Sequence, residues 1–221
     1  MVGGVLRESD KGQTRLVVVD YGVNNVGSVV NMFRRLDVEV DLVRDGDGLA
    51  GATGIVLPGI GAFDSGVTSL RRTGLFDTIR ERVVKDGVPI LGICLGMQLL
   101  SKGSEEGALE GLGLLPAHTT RFVFEPGSPQ KVPHMGWNET ECLDGELFGG
   151  FGTERPRFYY VHSYHVVCED DADVAARCSY GITFTAAVRR GHVYGTQFHP
   201  EKSHRFGMQV LGNFARLTGH A

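Results

Sequence analysis

One cysteine in this sequence stands where a short apolar run, typical of a buried strand, gives way to leucines at helical spacing. Gly92 and Gly96 flank Cys94 at two residues on each side, which is the spacing of a nucleophile elbow with cysteine in place of serine. The glycines allow strand and helix to approach closely, and a helix N-terminus favours a thiolate. The pattern indicates a nucleophilic sulfur, with a buried, inert cysteine as the alternative.

A histidine and a glutamate, His199 and Glu201, follow the predicted strand 193–198. Functional groups gather beyond the carboxyl ends of strands in an open α/β sheet, so His199 can serve as the base for Cys94. Pro200 restricts His199 to extended geometry. Glu201 can accept a hydrogen bond from the imidazole and fix its tautomer. A surface turn is the alternative for this short motif when it is considered alone.

A glycine-rich loop, Pro58-Gly59-Ile60-Gly61, follows another predicted strand. Its glycines allow backbone N–H groups to point into a cavity, as an oxyanion hole requires, and the N–H of Leu95 would be the second donor. A dinucleotide-binding fingerprint does not fit, because Asp64 occupies the position of the third glycine. An ordinary glycine-rich turn remains the alternative.

The spacing of two further histidines, His162 and His165, could suggest a metal site. Side chains three residues apart in a strand point to opposite faces, however, and no carboxylate or cysteine completes a ligand set, so packing roles are favoured. The single tryptophan, Trp137, lies in a segment flanked by glycine and proline. It is either a core residue or an anchor at a protein interface.

Composition restricts the class of protein further. The chain has 221 residues and a net charge of −4, without the basic stripe that nucleic-acid binding needs. No window approaches the roughly 20 apolar residues of a membrane span. The four cysteines form no C-x-x-C pair, and a reducing cytoplasm is expected, with Cys94 free to react. Residues 1–14 are polar and glycine-rich, and we expect a loose N-terminal extension there.

Apolar runs divide the first hundred residues into alternating strands and helices. Strands are predicted at 16–20, 38–43, 54–57 and 88–93, with helical patterns at 26–36 and 75–83. This order predicts a parallel sheet covered by helices. After Gly103 the apolar segments become short and alternating, which predicts an antiparallel second half laid against the parallel half. A hairpin through 182–198 and a last helix from Phe206 to Leu217 complete the chain.

Taken together, these motifs resemble those of the class I (triad) glutamine amidotransferases, from about Arg15 to Leu217. The nucleophile and His-Glu motifs correspond to 92–98 and 195–201, although most relatives carry histidine where this chain has Met97. The segments at 58–63, 132–138, 160–164 and 199–203 are similar, more narrowly, to glutaminase subunits of imidazole glycerol phosphate synthase. The turn Val23-Asn24-Asn25 replaces a more glycine-rich turn that is usual in the family.

The resemblance implies a three-layer, flavodoxin-like α/β fold: a central, mostly parallel sheet with helices on both faces, and a smaller antiparallel sheet. Residues 15–221 would form one amidotransferase domain. The implied chemistry is glutamine hydrolysis by Cys94, His199 and Glu201, with no cofactor and no metal. The residues expected to hold the oxyanion are Leu95, Gly59, Ile60 and Gly61. The residues expected to contact glutamine are Gly61, Gln98, Ser163 and Tyr164.

The resemblance also implies a partner, a (β/α)8 barrel cyclase that receives the ammonia in a heterodimer of histidine biosynthesis. Trp137, Asn138 and Lys202 would lie at or near that interface. Three alternatives stay open at this point. They are a glutaminase subunit for another pathway, such as anthranilate or aminodeoxychorismate synthesis; a cysteine peptidase or thioesterase on the same elbow; and a binding module that keeps the fold without catalysis.

Overall fold

A computed structural model describes residues 14–22 and 25–220 of the chain. The predicted N-terminal extension lies outside the described residues, except for Thr14. Two of the three residues of the unusual turn, Val23 and Asn24, lie outside them as well.

Within the described residues, nine strands form one sheet and two more form a separate small sheet. The large sheet contains β1 (Leu16–Val19), β2 (Val40–Val43), β3 (Gly54–Gly59), β4 (Ile90–Cys94), β6 (His134–Cys142), β7 (Arg157–His162), β9 (Val174–Tyr180), β10 (Ile182–Arg190) and β11 (Val193–Thr196). The small antiparallel sheet pairs β5 (Ala117–Arg121) with β8 (Tyr164–Cys168). The strand order of the large sheet is β2-β1-β3-β4-β11-β10-β9-β6-β7.

Strand direction changes within the large sheet. The five strands from β2 to β11 in this order are parallel to their neighbours, and the strands from β10 to β7 are antiparallel. The predicted fold class, with parallel central strands, helices on both faces and a small antiparallel sheet, is confirmed. One detail of the expectation is wrong, since most strands of the second half extend the same sheet and are not laid against it. The hairpin of β10 and β11 makes this join, because β11 pairs with β4 on its other side.

Five helices cover the two faces: α1 (Val26–Arg34), α2 (Phe63–Arg72), α3 (Leu75–Val84), α4 (Leu95–Leu99) and α5 (His204–Leu217). The apolar run of β1 supplies both cores, because successive strand residues point to opposite faces. Leu16 and Val18 pack with buried residues of α1 and α5. Val17 and Val19 pack with buried residues of α2, α3 and α4. The helices therefore hold the carboxyl ends of the parallel strands in a fixed arrangement.

Two kinds of feature are absent from residues 14–22 and 25–220. None of their helices is long and apolar enough to cross a membrane. No three of their histidine, cysteine, aspartate or glutamate side chains are grouped so that they could hold a metal ion.

Candidate active site

Cys94 lies at the turn from β4 to α4, as the sequence predicts. Its backbone has φ 55° and ψ −110°, a conformation that a residue with a side chain rarely adopts. A Cβ on Gly92 would lie 2.6 Å from the carbonyl oxygen of Gly96, and a Cβ on Gly96 would overlap the carbonyl oxygen of Leu57. The predicted reason for the two glycines, close approach of strand and helix, is therefore confirmed.

The sulfur of Cys94 lies between two polar groups in a mostly buried position, with 7% of the residue exposed. Sγ is 3.9 Å from the carbonyl oxygen of Val161, to which the thiol donates. On another side, Nε2 of Gln197 donates to Sγ at 3.8 Å. Sequence reasoning missed Gln197, and its only signal was a position between the end of β11 and His199.

The side chains of His199 and Glu201 meet directly. Nδ1 of His199 lies 2.8 Å from Oε1 of Glu201, and the two side chains are 2% and 3% exposed. His199 has extended backbone (φ −98°, ψ 95°), as expected before Pro200, and a short 3-10 turn follows. The hydroxyl of Ser203 donates to the carbonyl oxygen of His199 at 2.6 Å, and the N–H of His199 donates to the carbonyl oxygen of Tyr159 at 2.9 Å. These two hydrogen bonds hold the backbone of His199 in place and so help to position its imidazole.

Opposing influences act on the pKa of His199. Burial lowers it, but the nearby sulfur of Cys94 and the hydrogen bond and charge of Glu201 outweigh burial and raise the pKa to about 10. Nε2, the nitrogen away from Glu201, is buried and has no hydrogen-bond partner within the described residues. With Nδ1 held by a carboxylate, Nε2 is the nitrogen available to exchange a proton with a substrate or with the sulfur.

The predicted oxyanion loop begins later than expected. Pro58 and Gly59 are the last residues of β3, and Gly59 pairs in register with Cys94 of β4. Ile60 is exposed, and Gly61 has φ 90°, which favours glycine. Leu95 is the first residue of α4, directly after the sulfur. The structure thus brings the backbone of Gly59 and Leu95 next to Cys94.

Tyr21 is a polar residue at this edge that sequence reasoning did not single out. A Cβ on Gly59 would collide with its hydroxyl, so the ring lies directly against the end of β3. The residue is buried, and its hydroxyl has no hydrogen-bond partner in the described part of the chain. Burial, with a smaller effect from Cys94, raises the pKa of Tyr21 far above its usual range. The hydroxyl is therefore neutral and can donate.

Three of the four residues expected to contact glutamine lie on α4 and at the bend between β7 and β8, whereas the fourth, Gly61, follows β3. Gln98 is buried on α4, and its Nε2 donates to the carbonyl oxygen of Tyr164 at 3.2 Å and to Oε1 of Gln197 at 3.1 Å. Ser163 forms the bend between β7 and β8, and both Ser163 and Tyr164 are half-buried.

The expectation that His162 and His165 point to opposite faces of one strand is wrong. The bend at Ser163 ends β7 and begins β8, so both imidazoles are buried against Phe122, with ring centroids 5.2 Å and 4.8 Å from it. His162 donates from Nδ1 to the carbonyl oxygen of Tyr164 at 2.8 Å. Its Nε2 lies 3.1 Å from Nδ1 of His134. The packing role favoured for His162 and His165 is consistent with these contacts.

Acid should destabilise the protein through this cluster. Burial lowers the pKa of His162 to about 3 and that of His134 to about 4, against 6.5 for an exposed histidine. The unfolded chain then binds more protons below about pH 6.5, so stability falls as the pH falls from there towards 3. We expect the free energy of unfolding in urea to lose about 1 kcal/mol per pH unit from His162 alone between pH 6 and 4.

His162→Asn keeps a donor for Tyr164 but cannot titrate, so the slope of unfolding free energy against pH should become shallower by that amount. His118→Asn, which changes an exposed histidine, is the matched control and should leave the slope unchanged. An unaltered slope in the His162 variant would contradict the assignment.

Two of the three predicted interface residues lie together on the surface. Trp137 is 40% exposed and stacks on His204, with ring centroids 5.1 Å apart. Its indole and Nζ of Lys202 both lie near the ring of Tyr159, at 6.1 Å and 5.7 Å from its centroid. The structure does not bring Asn138 into this group, because its amide donates to Ser179 from the opposite face of β6.

The family of the chain follows from comparison with known proteins. The family model described as glutamine amidotransferase class-I matches residues 17–217. The chain therefore belongs to the class I glutamine amidotransferases, and the resemblance of its motifs to that family is confirmed.

Relatives define the position within the class. The chain is 46% identical over 204 residues to imidazole glycerol phosphate synthase subunit HisH 2 of Pseudomonas aeruginosa, covering 92% of this chain and 100% of that protein. It is 43% identical over 201 residues to the HisH 2 subunit of Methanococcus maripaludis, covering 91% and 98%. The narrower resemblance to this synthase subunit is confirmed. These relatives are named as subunits of a larger enzyme.

Solved structures support the fold. The structure of PurLQS from Thermotoga maritima aligns with a TM-score of 0.71 at 21% identity and covers 93% of this chain and 99% of that one. The crystal structure of a GMP synthase component from Thermoplasma acidophilum aligns with a TM-score of 0.70 at 22% identity, covering 94% of both chains.

Proposed function

We propose that this chain is the glutaminase subunit of an imidazole glycerol phosphate synthase, which releases ammonia from glutamine for a partner subunit. The observation that carries the proposal is the position of Cys94 and the buried His199–Glu201 pair at the carboxyl ends of neighbouring strands, β4 and β11. A strained cysteine beside a carboxylate-held histidine has the parts that acyl transfer requires. The family supplies the substrate, glutamine, and the names of the HisH relatives supply the synthase.

The mechanism begins when Cys94 attacks the side-chain amide of glutamine. His199 takes the thiol proton on Nε2 and returns a proton to the departing ammonia, while Glu201 holds Nδ1 and stabilises the imidazolium. A γ-glutamyl thioester remains on the sulfur. Water, activated by His199, then hydrolyses this thioester to glutamate and restores the thiol.

The oxyanion of each tetrahedral intermediate needs backbone donors. We assign these to the N–H of Leu95 and to the segment Gly59-Ile60-Gly61, which ends β3 beside the sulfur. Glutamine itself would contact Gly61, Gln98 and the bend formed by Ser163 and Tyr164. Because Ile60 is exposed, a partner bound at this surface could contact the segment directly.

The partner that would use the ammonia is a (β/α)8 barrel cyclase. It would add the nitrogen to a phosphoribosyl-formimino precursor to give imidazole glycerol phosphate and an aminoimidazole carboxamide ribotide. Trp137 and Lys202, grouped around Tyr159, are the residues we assign to this interface. Tryptophan is enriched among residues that dominate binding energy. Asn138 belongs to the interface only if the partner also contacts the opposite face of β6.

We assign residues 15–221 to a single amidotransferase domain and residues 1–14 to an extension before it. A catalytic thiol must stay reduced, so we place the protein in the cytoplasm.

Activation by the partner tests this function. The isolated chain should hydrolyse glutamine slowly, because the Gly59–Gly61 segment must present its N–H groups correctly. Addition of the cyclase loaded with its own ligand should raise kcat for glutamine hydrolysis about 10-fold or more, within the range of couplings between sites. Glutamate release by both preparations, measured at saturating glutamine, gives the ratio. A high rate without the partner, and no further stimulation by it, would contradict the idea that the partner arranges the Gly59–Gly61 segment.

Complementation separates this function from its nearest alternative. The chain should restore growth without histidine to a strain that lacks the glutaminase subunit of this synthase. Rescue of a tryptophan auxotroph but not of a histidine auxotroph would instead assign the chain to an anthranilate-type synthase. For a peptidase, peptides and not glutamine should protect Cys94 from labelling by a glutamine-analogue chloroketone.

A further inference from the structure

We propose that Gln197 is a positioning residue for the nucleophile, which directs an N–H at the sulfur of Cys94, and that Gln98 and the carbonyl of Tyr164 fix its orientation. The inference rests on the proposed function, because it assigns Gln197 a task in glutamine hydrolysis. Three consecutive hydrogen bonds join these groups. They are Gln98 Nε2 to Tyr164 O at 3.2 Å, Gln98 Nε2 to Gln197 Oε1 at 3.1 Å, and Gln197 Nε2 to Cys94 Sγ at 3.8 Å.

The chemistry of a backbone carbonyl sets the direction of the whole chain of bonds. Tyr164 O can only accept, so the carboxamide group of Gln98 that faces it must be the NH2. The second hydrogen of that NH2 faces Gln197, which must therefore present its oxygen there. The NH2 of Gln197 is then left to face Cys94. No other arrangement of the two amides satisfies both contacts.

Tyr164 O is itself held by a second donor. Nδ1 of His162 donates to the same oxygen at 2.8 Å, and Nε2 of His162 lies 3.1 Å from Nδ1 of His134. Rotation of this carbonyl would break both hydrogen bonds in a buried region, where water could not replace them without cost. The carbonyl can therefore serve as a fixed reference for the two amides.

Burial makes the orientation of Gln197 strict. The residue is 0% exposed, and Gln98 is buried beside it. If the Gln197 amide were reversed, its NH2 would face the NH2 of Gln98 and its oxygen would face the sulfur. The contact with Gln98 would then lose its hydrogen bond in a buried environment, and the contact with Cys94 would become repulsive once the sulfur is a thiolate.

The two polar neighbours of the sulfur suit different steps of catalysis. The carbonyl of Val161 can only accept, so it contacts the thiol favourably and the thiolate unfavourably. The NH2 of Gln197 can only donate, and a hydrogen bond to a charged sulfur is stronger than one to a neutral sulfur. When the proton moves from Cys94 to Nε2 of His199, Gln197 holds the sulfur in place for attack.

Gln197→Met tests the inference, because methionine has nearly the same length but no donor. Assembled with the ligand-loaded cyclase, this variant should lose about 10- to 100-fold in kcat with glutamine, the range expected for one hydrogen bond to a charged group. The KM for glutamine should stay within about threefold, since both lost contacts, to Cys94 and to Gln98, are within the enzyme and Gln98 keeps its hydrogen bond to Tyr164. Alkylation of Cys94 in the isolated chain by iodoacetamide should slow as well.

Three comparisons separate loss of the donor from other effects of the substitution. Gln209→Met makes the same change on α5 outside the site and should match the unmodified chain in all three measurements. Synthesis from added ammonia should be unchanged in the Gln197→Met complex, which shows that the variant is folded and assembled. Gln197→Glu keeps the shape and an acceptor for Gln98 but places a carboxyl group at the sulfur. Because a carboxylate and a thiolate cannot both form in this buried site without cost, the thiolate should be disfavoured and kcat should fall at least as much.

Several results would overturn the inference. These are an unchanged kcat and alkylation rate in Gln197→Met, an unchanged kcat in Gln197→Glu, or a loss confined to the KM for glutamine. If Gln197→Met also loses ammonia-dependent synthesis, the Gln197→Glu complex with intact ammonia-dependent synthesis decides between the two outcomes. Failure of the proposed function would look different, since the unmodified chain would then release no glutamate with the cyclase.

Discussion

Replacement of Cys94 by alanine is expected to abolish synthesis from glutamine and to leave synthesis from added ammonia intact. Alanine keeps the backbone of the elbow but provides no sulfur for the thioester. Removal of a nucleophile from a triad costs about 10⁴-fold or more, so the remaining glutaminase rate should be undetectable above background. Product formation by the assembled synthase, measured in parallel with glutamine and with ammonia as the nitrogen source, gives both rates.

Cys168→Ala provides the matched control, because it makes the same substitution at a half-buried cysteine of β8. This variant should keep both activities. The unmodified chain should carry one label at Cys94 after treatment with a glutamine-analogue chloroketone, and free glutamine should protect it. Glutamine-dependent synthesis that persists in Cys94→Ala would show that another group is the nucleophile.

The parallel half of the fold was predictable because its strands are continuous apolar runs. A strand that is buried on both faces needs such a run. Successive residues of β1 show this, because Leu16 packs on one face of the sheet and Val17 on the other. The helix α3 was predictable from Leu75, Phe76, Ile79 and Val83, which are all buried. Strands and helices with such local patterns can be predicted without knowing which residues they pack against.

The order of the strands was not predictable in the same way. Alternating segments in the second half identify antiparallel strands but do not reveal which edge they join. The position of β11 beside β4 depends on contacts between residues about a hundred positions apart, such as Thr196 and Ile93. The bend at Ser163 has no glycine or proline beside it, so the sequence did not reveal that His162 and His165 lie in two different strands, β7 and β8.

The candidate site was predicted where a motif has a local reason. The sequence alone shows that the two glycines around Cys94 allow a tight turn. It also shows that the proline between His199 and Glu201 restricts the backbone of His199. Gln197 has no such local reason. Its importance depends on Gln98 and the carbonyl of Tyr164, which only the folded chain brings together.

Gly96→Ala is expected to destabilise the protein severely, by more than about 3 kcal/mol, at the upper end of the cost of overpacking. The new Cβ would overlap the carbonyl oxygen of Leu57. Leu57 belongs to β3, which pairs with β1 and β4, so its backbone has no room to move aside. Urea unfolding should show a lower midpoint, and a chain this destabilised should yield less soluble protein.

Gly27→Ala separates this steric effect from a general effect of replacing glycine. Gly27 lies in α1, has no atom within 4 Å of a new Cβ and lacks positive φ, so alanine there should raise stability by about 0.5–1 kcal/mol. The same substitution should thus change the unfolding free energy in opposite directions at the two positions. Equal effects would mean that the elbow is loose enough to accept a side chain, and the close approach of β3 to α4 could then not be what holds Cys94 in its strained conformation.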